Sequence, residues 1–461
     1  MKDVDVKKYR HQFLRLSEDG IAPHVRYLSF DPYVRSYFPP AIQTSRRTVL
    51  IKKLFSNLLN RDDVDIIHAI DRFINLRHIE IQYQSVRPIP LTKCGPLIRA
   101  SLLSHSTRLQ TLKFSFPFES LMTFIPSDLY LPLLTSFSVT LFTLTGNLSD
   151  VNEHFAYTAT KVLVPFINRH RLSLSILELT LAPLPPTWDM YSLSLDTTFN
   201  LFPLLISLDH IPNLRYLTIA LSSFTSIDST YHFLEMHSST LRRLKIDMTH
   251  MELTTTHGVL DQFKVPLPLL EEIVVQYYYD TKSLTTSPYQ EPTLGFIRQH
   301  SSTLTSLKLL NSFHTEAHFH AVVDPKVSYH SLRLLKMTLD VLTPGMLSIL
   351  SSRLENLYEL DLLVRRLKRR HTSPEEINEE YEFCSDIRHH IYQHWKLRHL
   401  KLEVKSGGRR TRTRYGNGIV AVAARMPFLE TFNDMPLAEY MRGARQAVDL
   451  ILDMAVDCQP A

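Results

Sequence analysis

The chain has 461 residues, 44% of them hydrophobic and 21% charged, with a formal net charge of +5. Spread over so large a surface, that charge argues against nucleic acid as the natural partner. Three cysteines without a CxxC pair exclude zinc ribbons and a disulfide framework, and no run of about 18 apolar residues is present to span a membrane. The charged start, MKDVDVKKYRHQF, lacks the apolar core of a signal peptide, so a reducing compartment is expected, cytoplasmic or nuclear.

Residues 1–20 read as a short amphipathic helix with Tyr9, Phe13 and Leu14 on one side, capping the first repeat. A template of apolar, two variable, apolar, one variable, apolar then recurs. Its first apolar residues are Val25, Leu76, Leu109, Leu134, Leu174, Leu214, Leu241, Leu270, Leu304, Leu332, Leu357, Leu397 and Leu429. At this apolar content the bare pattern arises by chance roughly forty times, so context decides. Leucine fills the first slot in all but one of these units. Proline stands two residues earlier at Pro132, Pro212, Pro268 and Pro427, where it stops a preceding helix. Histidine stands four residues earlier at His105, His170, His210, His237 and His300. That position predicts a basic group against the carbonyl end of the preceding helix, with His237→Ala costing about 1 kcal/mol or less.

Two units make the repetition explicit. FLEMHSSTLRRLKIDM (233–248) and FIRQHSSTLTSLKL (296–309) share His-Ser-Ser-Thr-Leu in one phase, and the apolar residues then alternate with Lys245 and Asp247 as in a half-buried strand. Motif starts lie mostly about 25–40 residues apart, the range of helix–strand repeat arrays. The fold class expected is therefore α/β: a leucine-rich-repeat-like solenoid with a curved parallel sheet, outer helices and irregular connectors. Residues 21–435 form about thirteen units, and 436–461 a C-terminal capping helix and tail. Helices are also expected over 47–59 and 64–73, and proline- and serine-rich loops over 182–190 and 277–292.

Two segments stand out by charge. RRLKRR (365–370) precedes Ser373-Pro374-Glu375-Glu376, a capping box that starts a helix running to about His394. KSGGRRTRTRYGNG (405–418) reads as a mobile basic loop carrying Arg409, Arg410, Arg412 and Arg414.

Catalytic signatures are absent. His314, Glu316 and His318 miss the HExxH spacing, and no nucleophile elbow, kinase signature or phosphate cradle appears. No enzyme activity, cofactor or metal is expected. What remains is a surface. The slot between the two central apolar residues holds Lys113, Lys245, Lys308, Lys336 and Lys401, joined by Arg243. On the concave face of the array these are either a solvated strand face, mixed with Glu80, Glu178 and Asp361, or an acidic-ligand site.

The strands NLRHIEI (75–81), NLRYLTI (213–219), SLRLLKM (331–337) and KLRHLKLEV (396–404), with the opening PHVRYLSFDP (23–32), resemble the fungal F-box proteins with leucine-rich repeats. The resemblance implies a protein-recognition module, the substrate receptor of a cullin-RING ubiquitin ligase, with the repeats holding the target and an F-box docking the ligase adaptor. The F-box is not found before Val25, and the asparagine that comes after the strand in many such repeats is replaced by Gln84, Pro117, Thr249 and Asp340. The alternative is a stand-alone scaffold binding a protein or, through Arg409, Arg410, Arg412 and Arg414, an acidic polymer.

Overall fold

The computed structural model describes residues 14–30, 69–82, 91–142, 148–181, 201–222, 227–250, 264–277, 292–367, 383–405 and 416–442, apart from positions 16, 19, 385, 388 and 391. Tyr9 and Phe13, the segments 47–59 and 182–190, the capping box at Ser373, the four arginines of the basic loop and the tail after 442 lie outside the described residues. Two compact units are present, Met1–Arg242 with His250–Glu252 and Arg243–Thr249 with Leu253–Ala461.

In the first unit six strands lie side by side in sequence order: β1 (Tyr27–Phe30), β2 (His78–Gln82), β3 (Thr111–Pro117), β4 (Ser136–Phe142), β5 (Ile176–Leu181) and β6 (Tyr216–Ser222). Every pairing is parallel. The second unit continues the pattern with β7 (Arg243–His250), β8 (Glu272–Tyr277), β9 (Ser306–His314), β10 (Leu334–Leu342), β11 (Glu359–Leu367), β12 (His399–Val404) and the two-residue β13 (Thr431–Phe432), all parallel, and ends in an antiparallel β14 (Met435–Pro436). Consecutive parallel strands need a crossover, and helices supply several: Leu148–Thr158, Ile227–Met236, Pro292–His300 and Pro344–Arg353 among them. Each unit is thus a leucine-rich-repeat-type α/β array.

All thirteen template units land on β1 to β13, and each strand begins two residues after the first slot. The offset has a cause. The first-slot residue is buried while the chain is still turning, and the next two amides both donate to one carbonyl of the preceding repeat: Arg77 and His78 to Arg26, Gln110 and Thr111 to Arg77, Thr135 and Ser136 to Gln110. Pairing in register starts only there. Alternation then sets in, as in β5, where Leu177, Leu179 and Leu181 are buried and the residues between them are half-exposed.

The prolines prove to be turn residues. Pro132, Pro212, Pro268 and Pro427 each occupy the second position of a turn that the first-slot N–H closes: Leu134 to Leu131, Leu214 to Ile211, Leu270 to Leu267, Leu429 to Met426, at 3.0–3.2 Å. Asparagine reappears too, in front of the strand instead of behind it. Asn75 Nδ2 donates to the Pro23 carbonyl at 2.7 Å, Asn213 to Leu172 at 2.8 Å and Asn356 to His330 at 3.0 Å, tying each turn to the one before.

The histidines are not charged caps. His105, His170, His237 and His300 are buried, at 0–4% exposure; His210 alone is exposed, because its helix (Phe202–Ser207) ends before it. The His237 ring accepts from the Ile211 amide through Nε2 at 3.0 Å and donates from Nδ1 to the Phe233 carbonyl at 2.7 Å. His170 does the same with Leu131 and Phe166, at 2.8 and 2.7 Å. A nitrogen that accepts from an amide carries no proton, so both rings are held as the neutral Nδ1–H tautomer. His105 Nε2 meets the Ile70 carbonyl at 3.0 Å, and the His300 ring bonds the Val265 carbonyl. These rings therefore join each repeat to its predecessor. Removing His237 leaves the buried Ile211 amide without its acceptor and opens a void, so His237→Ala is expected to cost about 2–4 kcal/mol, more than the cap reading allows. A denaturant melt of the variant beside wild type checks the figure.

The helix expected to run to His394 stops earlier. His389 and His390 already close four-residue turns onto Asp386 and Ile387, and the chain then carries Trp395 into the core, its Nε1 donating to Leu354 O at 3.1 Å.

Candidate functional site

Alternation fixes which side chains reach the open face of the second unit's sheet. In β7, Leu244 and Ile246 are 1% and 3% exposed, which turns Arg243 and Lys245 to the other side. Register then aligns Lys245, Val274, Lys308, Lys336, Asp361 and Lys401 across β7 to β12 as one row. The residues two positions earlier make a second row: Arg243, Glu272, Ser306, Leu334, Glu359 and His399. Lys113, the fifth lysine of this slot, lies in the first unit between Glu80 and Ser138.

The rows interlock electrostatically. Glu272 takes Lys308 Nζ at 2.6 Å on one carboxylate oxygen and Arg243 Nε at 3.5 Å on the other. Asp361 takes Lys336 Nζ at 2.5 Å, and Asp434 takes Lys401 Nζ at 2.7 Å. The Asp434 contact raises the Lys401 ammonium above its ordinary pKa. The geometry thus brings the four lysines into line and hands three of them a carboxylate from a neighbouring strand or turn. Half-buried Lys245, beside Val274, has no acidic partner among the described residues. Diagonal pairs of this kind are invisible to a search along one slot, because Glu272 sits two residues before the slot it neutralises.

A second cluster lies at the far ends of β10 to β12. Asp340 receives Arg365 at 2.9 Å and Arg366 at 3.1 Å; the Arg365 guanidinium lies 4.2 Å over the Phe313 ring, and Lys405 Nζ stands 5.7 Å from the same ring. These arginines open the RRLKRR run, and they lie in β11.

His314 and His318 are buried at 0% and 4% exposure with their Nδ1 atoms 2.7 Å apart, so one donates and the other accepts; burial first, and then the neighbouring ring, lowers the His314 pKa. Among the described residues no group of three or more His, Cys, Asp or Glu side chains comes together, and no helix is long and apolar enough to cross a membrane.

No family model and no curated protein matches the chain. Solved structures similar to it include the Rad7 and Elc1 complex of yeast (15% identity, 68% of this chain and 82% of that chain, TM-score 0.29). Others are the leucine-rich repeat-containing protein LegL7 of Legionella pneumophila (11%, 84% and 87%, TM-score 0.31) and a protein of Bacteroides fragilis (15%, 57% and 71%, TM-score 0.31). At such scores the fold assignment rests on the register of this chain's own strands.

Proposed function

We propose that the chain is a non-enzymatic protein-recognition module, that the open face across β7 to β12 holds a segment of a target protein, and that it serves as the substrate receptor of an F-box-type cullin-RING ubiquitin ligase. The observation that carries the recognition reading is the in-register ladder of lysine–carboxylate pairs. Across six parallel strands about 4.8 Å apart it spans roughly 24 Å, long enough for a peptide segment. Each pair is at least partly exposed, so a partner with complementary charges can exchange into it, which favours selectivity over raw affinity. The ligase half rests on the resemblance of the NLRHIEI-type strands to fungal F-box repeat proteins.

The test replaces Lys245, Lys308, Lys336 and Lys401 together by glutamine. Exposed ion pairs contribute about 0–1 kcal/mol each, so the variant should stay folded, with a melting temperature within a few degrees of wild type. Affinity purification from cells with the proteasome blocked is expected to recover a partner with wild type that the variant loses. Identical partner lists would remove the ladder as the binding surface. Failure of the wild type to co-purify an adaptor and a cullin would remove the ligase role and leave a scaffold.

A further inference from the structure

The turns that precede β1 to β6 line one edge of the first unit's sheet, because the strands are parallel, in sequence order and in register. Along that edge the residue just after each first slot is set by a chain of backbone bonds: the Arg77 amide on Arg26, Gln110 on Arg77, Thr135 on Gln110, Ser175 on Thr135, Arg215 on Ser175. Arg26 and Arg77 therefore stand side by side just before adjacent strands, which run about 4.8 Å apart. Arg108, in the next turn, sends Nη1 to the Ile74 carbonyl at 2.7 Å, which fixes its guanidinium next to Arg77. Among the described residues none of the three has an ion-pair partner. The charge of Arg77 reaches His78, whose pKa is lowered first by burial and then by Arg77 and Lys113.

Between these groups opens a cleft of about 380 Å³ lined by Ile74, Asn75, Arg77, Arg108, Gln110 and Leu133. Ile74 and Leu133 are each 49% exposed, so aliphatic surface lies bare beside the two arginines. From this juxtaposition of guanidiniums and bare aliphatic walls we infer that the cleft binds a protein segment presenting a carboxylate next to an aliphatic or aromatic side chain. The two guanidiniums, Arg108 held by its bond to Ile74 and Arg77 exposed beside it, offer forked N–H donors to one carboxylate, and the walls cover the neighbouring apolar group. The size matches a side chain or two and not a polymer. Positive charge is broken along the edge, where Gln110, Thr135 and Ser175 separate Arg77 from Arg215, so a nucleic-acid backbone finds no unbroken succession of phosphate contacts.

This site lies in the other unit from the lysine ladder, and the experiment separates the two. The full chain is panned with displayed nine-residue peptides having glutamate fixed at the centre and random flanks, beside a library with glutamine at the centre. The expected result is enrichment of peptides with Leu, Ile or Phe within two residues of the glutamate, about tenfold weaker for the glutamine counterpart. Enrichment should vanish on Arg77→Glu and fall on Arg77→Gln, two changes at one exposed position whose melting temperatures are checked alongside, and it should persist on the fourfold lysine-to-glutamine variant. No enrichment, equal enrichment from both libraries, or unchanged enrichment on Arg77→Glu overturns the assignment. So does arginine-dependent binding of a uridine 20-mer without any peptide selection.

Discussion

Leu244→Asp is expected to unfold the repeats around β7 cooperatively, while Lys245→Asp one residue away leaves them folded. Leu244 is 1% exposed and aligned with buried Ile273 on β8; Lys245 points to the opposite face. Aspartate at 244 forfeits the burial of a leucine and forces either a bare carboxylate or a protonated one into an apolar layer, a loss of at least about 4 kcal/mol. In a repeat array each unit is stabilised mainly by its neighbours, so the damage spreads. At 245 the change swaps one half-exposed charge for another and costs about 1 kcal/mol or less. Circular dichroism and melting temperatures of the two variants check the pair. Equal effects would mean that the strand faces are assigned the wrong way round.

Acid should weaken the fold well before the carboxylates titrate. Burial, outweighing the carbonyl bonds that oppose it, pushes His237 and His300 down from 6.5 to about 4, and lowers His105 and His170 in the same sense. A depressed folded pKa means that the unfolded chain binds protons first. The stabilisation is thus complete above pH 6.5 and is lost as pH falls towards 4. Between pH 7 and pH 5 the linkage amounts to about 2 kcal/mol for each of His237 and His300, against a total stability of about 10 kcal/mol for a domain of ordinary size. Protonation also turns the Nε2 of His170 and His237 from acceptor to donor, facing it against the amides of Leu131 and Ile211. Denaturant midpoints should stay level from pH 8 to about pH 7 and then fall towards pH 5, and His237→Ala should be weaker at pH 8 yet flatter in pH. A midpoint independent of pH in this range would show that these rings are not held neutral.

Much of this architecture can be read along the chain. The positions of Leu76 to Leu429 give strands because a buried leucine before each strand is demanded by every repeat and therefore recurs. Pairing between repeats is harder to see. Pro132 is followed one unit later by His170, Pro212 by His237 and Pro268 by His300, a correlation present in the letters. Its meaning needs three dimensions: for Pro132 and Pro212 the turn leaves an amide, of Leu131 or Ile211, that the next repeat's ring accepts. The lysine row is legible for the same reason as the leucines, since register preserves slot. Of its carboxylate partners Asp361 lies in the same row, but Glu272 and Asp434 are hidden because they come from other slots. The arginine-lined cleft escapes the sequence entirely; its residues belong to turns and to three different repeats, so no periodic template collects them.

The hairpin of β13 and β14 closes the edge of the second unit's sheet in a way that bears on self-association. Asn433 and Asp434 both adopt positive φ, 48° and 65°, the backbone a tight reversal needs. The Asn433 side chain also accepts from the Leu402 amide at 2.8 Å and donates to the Leu402 carbonyl at 3.3 Å, taking the place of strand backbone. A long parallel edge would otherwise present a row of open amides on β12, the template on which a second molecule adds by strand exchange and fibres begin. Here the amide side of β12 is consumed at Leu402, and among the described residues it is flanked by a two-residue strand paired with another that carries Pro436. The reversal thus has the place of a chain terminator in the polymer chemist's sense, capping an end that would otherwise be open to growth.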